Sequence, residues 1–301
     1  MKLPRAIPAL VLLSCLLTGC ASNDSLLGEA EPFTPAPEPE KDSIGYYLAQ
    51  LDNAISGWNK AKLQARDEEG ERKVRALERS IQYKTRLRFG ELIEQLESGA
   101  PDNRAICAVA LGFSGLEEAL SPMLSALEDS SPNVVSNALL GLGLLSLPQT
   151  PLAQLCYHLS RNEDPYTRNN AAFAIQRILI AGGDDACTTG SAREALLDRE
   201  SAVRSKAALI LYLVGDAESI TALGDLLYDD EPVVIAAAAT ALAGLGKDET
   251  HTGAAARLMV ASLEKVHPTN RLRILHELKR LRGADLGEDS EPWRDWAYRL
   301  P

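Results

Sequence analysis

The stretch Glu231-Pro232-Val233-Val234-Ile235-Ala236-Ala237-Ala238-Ala239-Thr240-Ala241-Leu242-Ala243-Gly244-Leu245-Gly246 decides the fold. Pro232 suits the first turn of a helix, where its missing N–H would go unpaired in any case. Ala238 and Leu242 then share one face, and the small residue lets a neighbouring helix approach closely. Gly244 and Gly246 supply the breaker at the end.

Working outward, the same frame recurs in Pro101-Asp102-Asn103-Arg104, Pro132-Asn133-Val134-Val135, Pro165-Tyr166-Thr167-Arg168, Ser201-Ala202-Val203-Arg204 and Pro268-Thr269-Asn270-Arg271. With Pro232-Val233-Val234-Ile235 this makes six openings, whose last residues stand 31, 33, 36, 31 and 36 positions apart. Three residues after each opening comes Cys107, Ala138, Ala171, Ala207, Ala238 or Ile274, and seven after comes Leu111, Leu142, Ile175, Leu211, Leu242 or Leu278. A second apolar helix follows around Leu120–Leu127, Leu152–Leu159, Ala192–Leu197, Ile220–Leu227 and Ala254–Leu263. No such unit buries its apolar face alone, so the units must stack into one continuous core. The sixth shows no second helix. Residues 284–301 run from an acidic loop into Pro292-Trp293-Arg294-Asp295-Trp296, read as a cap with two Trp over the last unit.

Paired helices at this spacing, with an acid-x-x-Val-Arg-like opening, resemble the HEAT-like repeats of the bilin-lyase type across residues 98–283. The resemblance implies an all-α fold, a right-handed α-solenoid of HEAT-like helix pairs preceded by a charged helical neck. It implies little about activity, because the repeat serves unrelated roles. Chromophore attachment comes with the bilin lyases, but the repeat alone does not carry it. TPR units fit less well, since their aromatic positions are missing.

Toward the amino terminus, Met1-Lys2-Leu3-Pro4-Arg5 precedes an apolar run from Ala6 to Leu17. That run is too short for a membrane-spanning helix, which needs about 20 residues, and fits a secretory signal. Leu17-Thr18-Gly19-Cys20 resembles the lipobox of bacterial lipoproteins, which implies cleavage of residues 1–19 and lipid attachment at Cys20. Ala21, rather than Asp, at the next position implies the periplasmic face of the outer membrane. Residues 20–42 read as a lipidated Cys and a Pro/Glu-rich disordered tether. Residues 43–97 read as a helical neck, a possible degenerate leading repeat. Its stripe of Val74, Leu77, Ile81, Phe89, Leu92 and Leu96 is interrupted near Lys84-Thr85.

The chain has 31 basic against 42 acidic residues, and loss of the leader removes Lys2 and Arg5. Such a surface repels phosphate, so nucleic acid is not an expected partner. A protein or peptide, of basic character by the same balance, is expected. Catalytic signals are thin. His276-Glu277 resembles the iron-binding pairs of deoxyhypusine hydroxylase, a repeat protein of this kind. That enzyme needs several pairs, and the equivalent places hold Val109-Ala110, Phe173-Ala174 and Leu209-Ile210. The expectation is therefore a membrane-anchored, non-catalytic interaction scaffold with no cofactor and no metal; the alternative is a HEAT-like enzyme binding a small ligand or metal. Partner-binding candidates are Glu117, Glu118, Gln154, His158, Arg193, Asp225 and Tyr228, on second helices expected to line a concave surface. Cys107, Cys156 and Cys187 are odd in number, which leaves at least one thiol free. Cys107 and Cys156 read as small core hydrophobes.

Overall fold

The computed structural model of the protein describes residues 43–301. The leader, the lipid-attachment position Cys20 and the tether lie outside the described residues. Among those described, every regular element is helical: fifteen α-helices and four short 3₁₀ turns. The chain forms two compact units, divided between Lys84 and Thr85.

The first unit is built from α1 (Ile44–Gln64) and α2 (Glu68–Leu87), the second of which runs on past the division. Ser43 caps α1 by accepting from the Tyr46 N–H at 3.2 Å. Leu48, Leu51, Ile55 and Trp58 bury a stripe along α1, and Val74 and Ile81 do so along α2. The Tyr47 hydroxyl donates to the Lys84 carbonyl at 2.5 Å and the Trp58 indole to Glu78 at 3.0 Å, which sets the helices antiparallel. The expected interruption at Lys84-Thr85 is not a break. Thr85 is fully buried within α2 and donates to the Ala110 carbonyl at 3.1 Å, so its polarity is satisfied rather than disruptive. The chain turns instead at Arg88.

The second unit is a solenoid of helix pairs. Its first helices are α4 (Pro101–Gly112), α6 (Pro132–Leu145), α8 (Pro165–Ile180), α10 (Ser201–Leu213), α12 (Pro232–Leu245) and α14 (Pro268–Arg282). Its second helices are α3 (Phe89–Ser98), α5 (Leu120–Ser125), α7 (Ala153–Arg161), α9 (Cys187–Ala195), α11 (Ile220–Asp225), α13 (Glu249–Ser262) and α15 (Ser290–Arg299). All six +3 residues and all six +7 residues are buried without measurable exposure. Successive first helices touch along their lengths, whereas second helices make substantial contact only as α7 with α9, α11 with α13 and α13 with α15. The closeness has a cause in the sequence. A Cβ on Gly141 would lie 2.2 Å from the Ala108 carbonyl oxygen, so only glycine fits there.

The sixth unit does have a second helix. Gly283, at φ 78°, ends α14, and after a loop α15 packs on α13 as α13 packs on α11. Its signal is masked because the apolar anchors are few: Trp293 and Ala297. Trp293 is wholly buried, its indole N–H donating to the Gly287 carbonyl at 2.8 Å, with Trp296 edge-on at 5.9 Å. Trp293→Ala is expected to cost about 3–5 kcal/mol. Amide exchange should rise in α13 to α15 and stay slow in α4 to α8, because repeats feel mainly their neighbours. A uniform loss of protection would contradict a local cap.

Candidate functional site

The frame that makes each first helix also makes a rung between units. Arg104 grips Asp129 through two hydrogen bonds of 2.7 and 2.8 Å. Arg168 grips Asp198 at 2.7 and 2.9 Å, and Arg204 grips Asp229 at 2.8 Å twice. Each Asp also accepts the backbone N–H two residues on, from Ser131, Glu200 or Glu231, which shapes the entry into the next first helix. The paired guanidinium holds Asp129 below the ordinary carboxylate range. Burial alone would raise Asp198 and Asp229, but their arginine and backbone hydrogen bonds bring both below it. Where the arginine is absent, so is the aspartate. Val135 faces a junction with Asn162 in the aspartate position, and Ile235 one with Lys265. Losing both partners avoids stranding a charge.

Between these rungs the first helices present a common outward face, and the shared register places it in rows. Eight residues after the helix starts lie Leu140, Phe173, Leu209, Thr240 and His276, half-buried except for the exposed His276. Five after lie Asn137, Asn170, Lys206, Ala237 and Arg273. Asn137 donates to the Ala105 carbonyl and Asn170 to that of Ser136, both at 3.0 Å, each tying its helix to the one before. The Lys206 ammonium is largely buried and donates to Asn169 at 2.8 Å; burial pushes its pKa down. Twelve after lie Leu144, Arg177, Leu213, Gly244 and Arg280. Glu277 accepts from Thr240 at 3.2 Å and Arg280 at 2.6 Å, so the acid of the His276-Glu277 dyad is engaged. Among the described residues no cluster of three or more His, Cys, Asp or Glu side chains is placed to hold a metal ion.

The seven partner-binding candidates lie along the second-helix layer without converging. Glu117 and Glu118 are exposed on a 3₁₀ turn before α5, and Asp225 is exposed at the end of α11. Gln154 donates to Glu128 at 3.2 Å. Burial lowers the His158 imidazole pKa, opposed by a backbone hydrogen bond at Leu127. Arg193 is spent on Asp216 at 2.8 Å and Glu218 at 2.7 Å. Tyr228 lies under the Lys265 ammonium, 5.6 Å from the ring centre. A stack spaced more tightly on one side curves toward that side. Here the first helices form the more closely packed layer, and Gly141 against the Ala108 carbonyl is its tightest approach.

A cleft of about 480 Å³ opens beside the Arg168–Asp198 rung, where Arg161 also pairs with Glu194 and the lining mixes both signs of charge. Cys156 and Cys187 form a disulfide between α7 and α9, with Cα atoms 6.3 Å apart, inside the range such bridges require. Cys156 is thus a cross-link rather than a plain core residue. The odd thiol is Cys107, buried in α4 and with its pKa pushed up to about 12.

Stacked helix pairs tied by recurring side-chain rungs define an α-solenoid. Residues 90–176 and 152–243 match the model for HEAT repeats, together just over half of the chain. The protein belongs to the HEAT-repeat family. No curated protein matches it. Among solved structures, it is similar to computationally designed armadillo repeat proteins for modular peptide recognition, at 18% identity and a TM-score of 0.50, over 63% of this chain and 98% of that one. An engineered protein matches at 16% identity and a TM-score of 0.50, over 84% of this chain and 74% of that one. A chain in the structure of the CpcE–CpcF complex of phycocyanin lyase from Nostoc sp. PCC7120 matches at 16% identity, over 84% of this chain and all of that one, with a TM-score of 0.40. At these identities the likeness concerns the fold.

Proposed function

We propose that the protein is a membrane-anchored, non-catalytic scaffold that binds a protein or peptide partner along its solenoid. The observation that carries this reading is the continuous face of five aligned first helices, α6 to α14, since repeat stacking creates extended concave surfaces suited to binding chains. The peptide recognition for which the similar armadillo repeats were designed supports it. The lipobox-like Leu17-Thr18-Gly19-Cys20 supports anchoring through Cys20 at the periplasmic face of the outer membrane. The Cys156–Cys187 bridge supports an oxidising compartment. The two helix layers differ in charge, so net charge is a poor guide to the partner. Glu117, Glu118 and Asp225 leave the second-helix side open to a basic partner.

The test combines labelling and capture. Cells fed a radiolabelled fatty acid should label the wild-type chain and not Cys20→Ser. Crosslinking on intact membranes should retain a defined partner that the purified chain competes away. An unlabelled wild-type chain ends the anchoring, and the absence of any competed partner ends the scaffold.

A further inference from the structure

The six first helices together hold ten Arg and Lys against two acids, Asp102 and Glu277, in a chain whose acids outnumber its bases 42 to 31. Arg104, Arg168 and Arg204 are neutralised in the rungs. Arg280 is paired with Glu277 and Lys279 with Asp285. Arg271 donates to the Leu263 and Glu288 carbonyls and Arg282 stands over the Trp296 ring, which leaves Arg177, Lys206 and Arg273 toward the outward face, of which Arg177 and Arg273 are exposed. These cations stand beside the apolar row of Leu140, Phe173 and Leu209. The Phe173 ring is seated against Gly143 and the Tyr212 ring against Gly244, which fixes both aromatic surfaces on this face. The face thus joins fixed apolar surface to positive charge, with its lone helical acid already satisfied.

We propose that this face binds an extended acidic segment of a partner protein, with at least one apolar side chain seated on the Leu140–Phe173–Leu209 row. The assignment rests on the scaffold reading and gives the partner its chemistry. The protein's own surplus of acid makes the choice of sign informative, because within the solenoid the first helices depart from it and the second helices do not. Packed helices stand about 8–10 Å apart, so α6 to α14 spans about 32–40 Å. An extended segment of about ten to twelve residues covers that distance at about 3.3 Å per residue.

The test uses the full chain and a fluorescein-labelled peptide of about twelve Glu, Ser and Leu residues, read by anisotropy, with the same peptide carrying Lys for Glu as a control. The acidic peptide should bind, with affinity that falls as salt rises. Arg177→Glu with Arg273→Glu should weaken it at least tenfold. Arg161→Glu with Arg299→Glu makes the same change of net charge on second helices, and should move it less than twofold. Equal weakening by both pairs, or tighter binding of the Lys peptide, overturns the proposal. So does a gain in affinity when Glu29, Glu31, Glu38, Glu40 and Asp42 are changed to Gln or Asn, which would make the chain's own acidic segment the occupant. Binding of phosphatidylglycerol vesicles that is lost in the Arg177/Arg273 variant, without peptide binding, assigns the face to membrane instead. A membrane-crosslinked partner fully retained by that variant refutes this face while leaving the scaffold standing; no competed partner at all removes the scaffold itself.

Discussion

Replacing Arg168 by valine should destabilise the repeat array by about 3 kcal/mol, because it leaves Asp198 shielded from water and without its counter-charge. The Asp198 side chain is only 8% exposed and that of Arg168 15%, so solvent replaces little of what is removed. The double variant, Arg168→Val with Asp198→Asn, copies the combination already present at the Val135 and Asn162 junction. It should recover at least half of the loss, giving a coupling of about 1.5 kcal/mol or more in a double-mutant cycle. Urea unfolding followed by circular dichroism measures all four proteins. If the single and double variants are equally weak, the rung carries no coupled energy and is only a surface contact. The pH dependence follows from the same geometry. Asp129, Asp198 and Asp229 titrate below their unfolded values, so their contribution is present above about pH 4. It is lost as pH falls through the lower folded values. The double variant should therefore unfold less steeply on acidification than the wild type.

The first helices were legible because each carries its own local evidence: a Pro or Ser start, a small +3 residue and a branched +7 residue. The rungs were half legible. Arg104, Arg168 and Arg204 stand out in the openings, but their partners Asp129, Asp198 and Asp229 lie 25 to 30 residues ahead in loops, where an acid looks merely solvated. The paired loss of Arg and Asp at Val135/Asn162 and Ile235/Lys265 was the available signal. Helix α15 escaped because a ten-residue helix anchored by Trp293 and Ala297 has too few apolar positions to show a period. The functional face was hidden for a different reason. Net charge averages over the chain, whereas first helices exclude acid and the loops and second helices collect it. Exposure of Glu117 or Tyr228 could be guessed from helical phase. Which layer packs more tightly depends on contacts such as Gly141 against Ala108, between units whose pairing must already be known.

Removing the Cys156–Cys187 bridge, by reduction or by the double change Cys156→Ala with Cys187→Ala, should lower stability by about 3 kcal/mol. The bridge spans 31 residues, and closing a loop of that size restricts the unfolded chain by about 3–4 kcal/mol in the chain-entropy model. The effect should concentrate at α7 and α9, the neighbouring second helices that the bridge joins. Cys107 gives the internal control. Its thiol is buried, and with a pKa pushed up to about 12 it carries almost no thiolate at neutral pH. Iodoacetamide should leave it unmodified in the native protein and label it after unfolding. A non-reducing peptide map of protein isolated from the cells that make it, with free thiols blocked at lysis, should show the segments around Cys156 and Cys187 joined. An unfolding midpoint indifferent to dithiothreitol would deny the bridge any structural role. Separate Cys156 and Cys187 peptides would go further and withdraw the support that the bridge lends to an extracytoplasmic scaffold, since a chain displayed beyond the inner membrane has every chance to oxidise two thiols held this close.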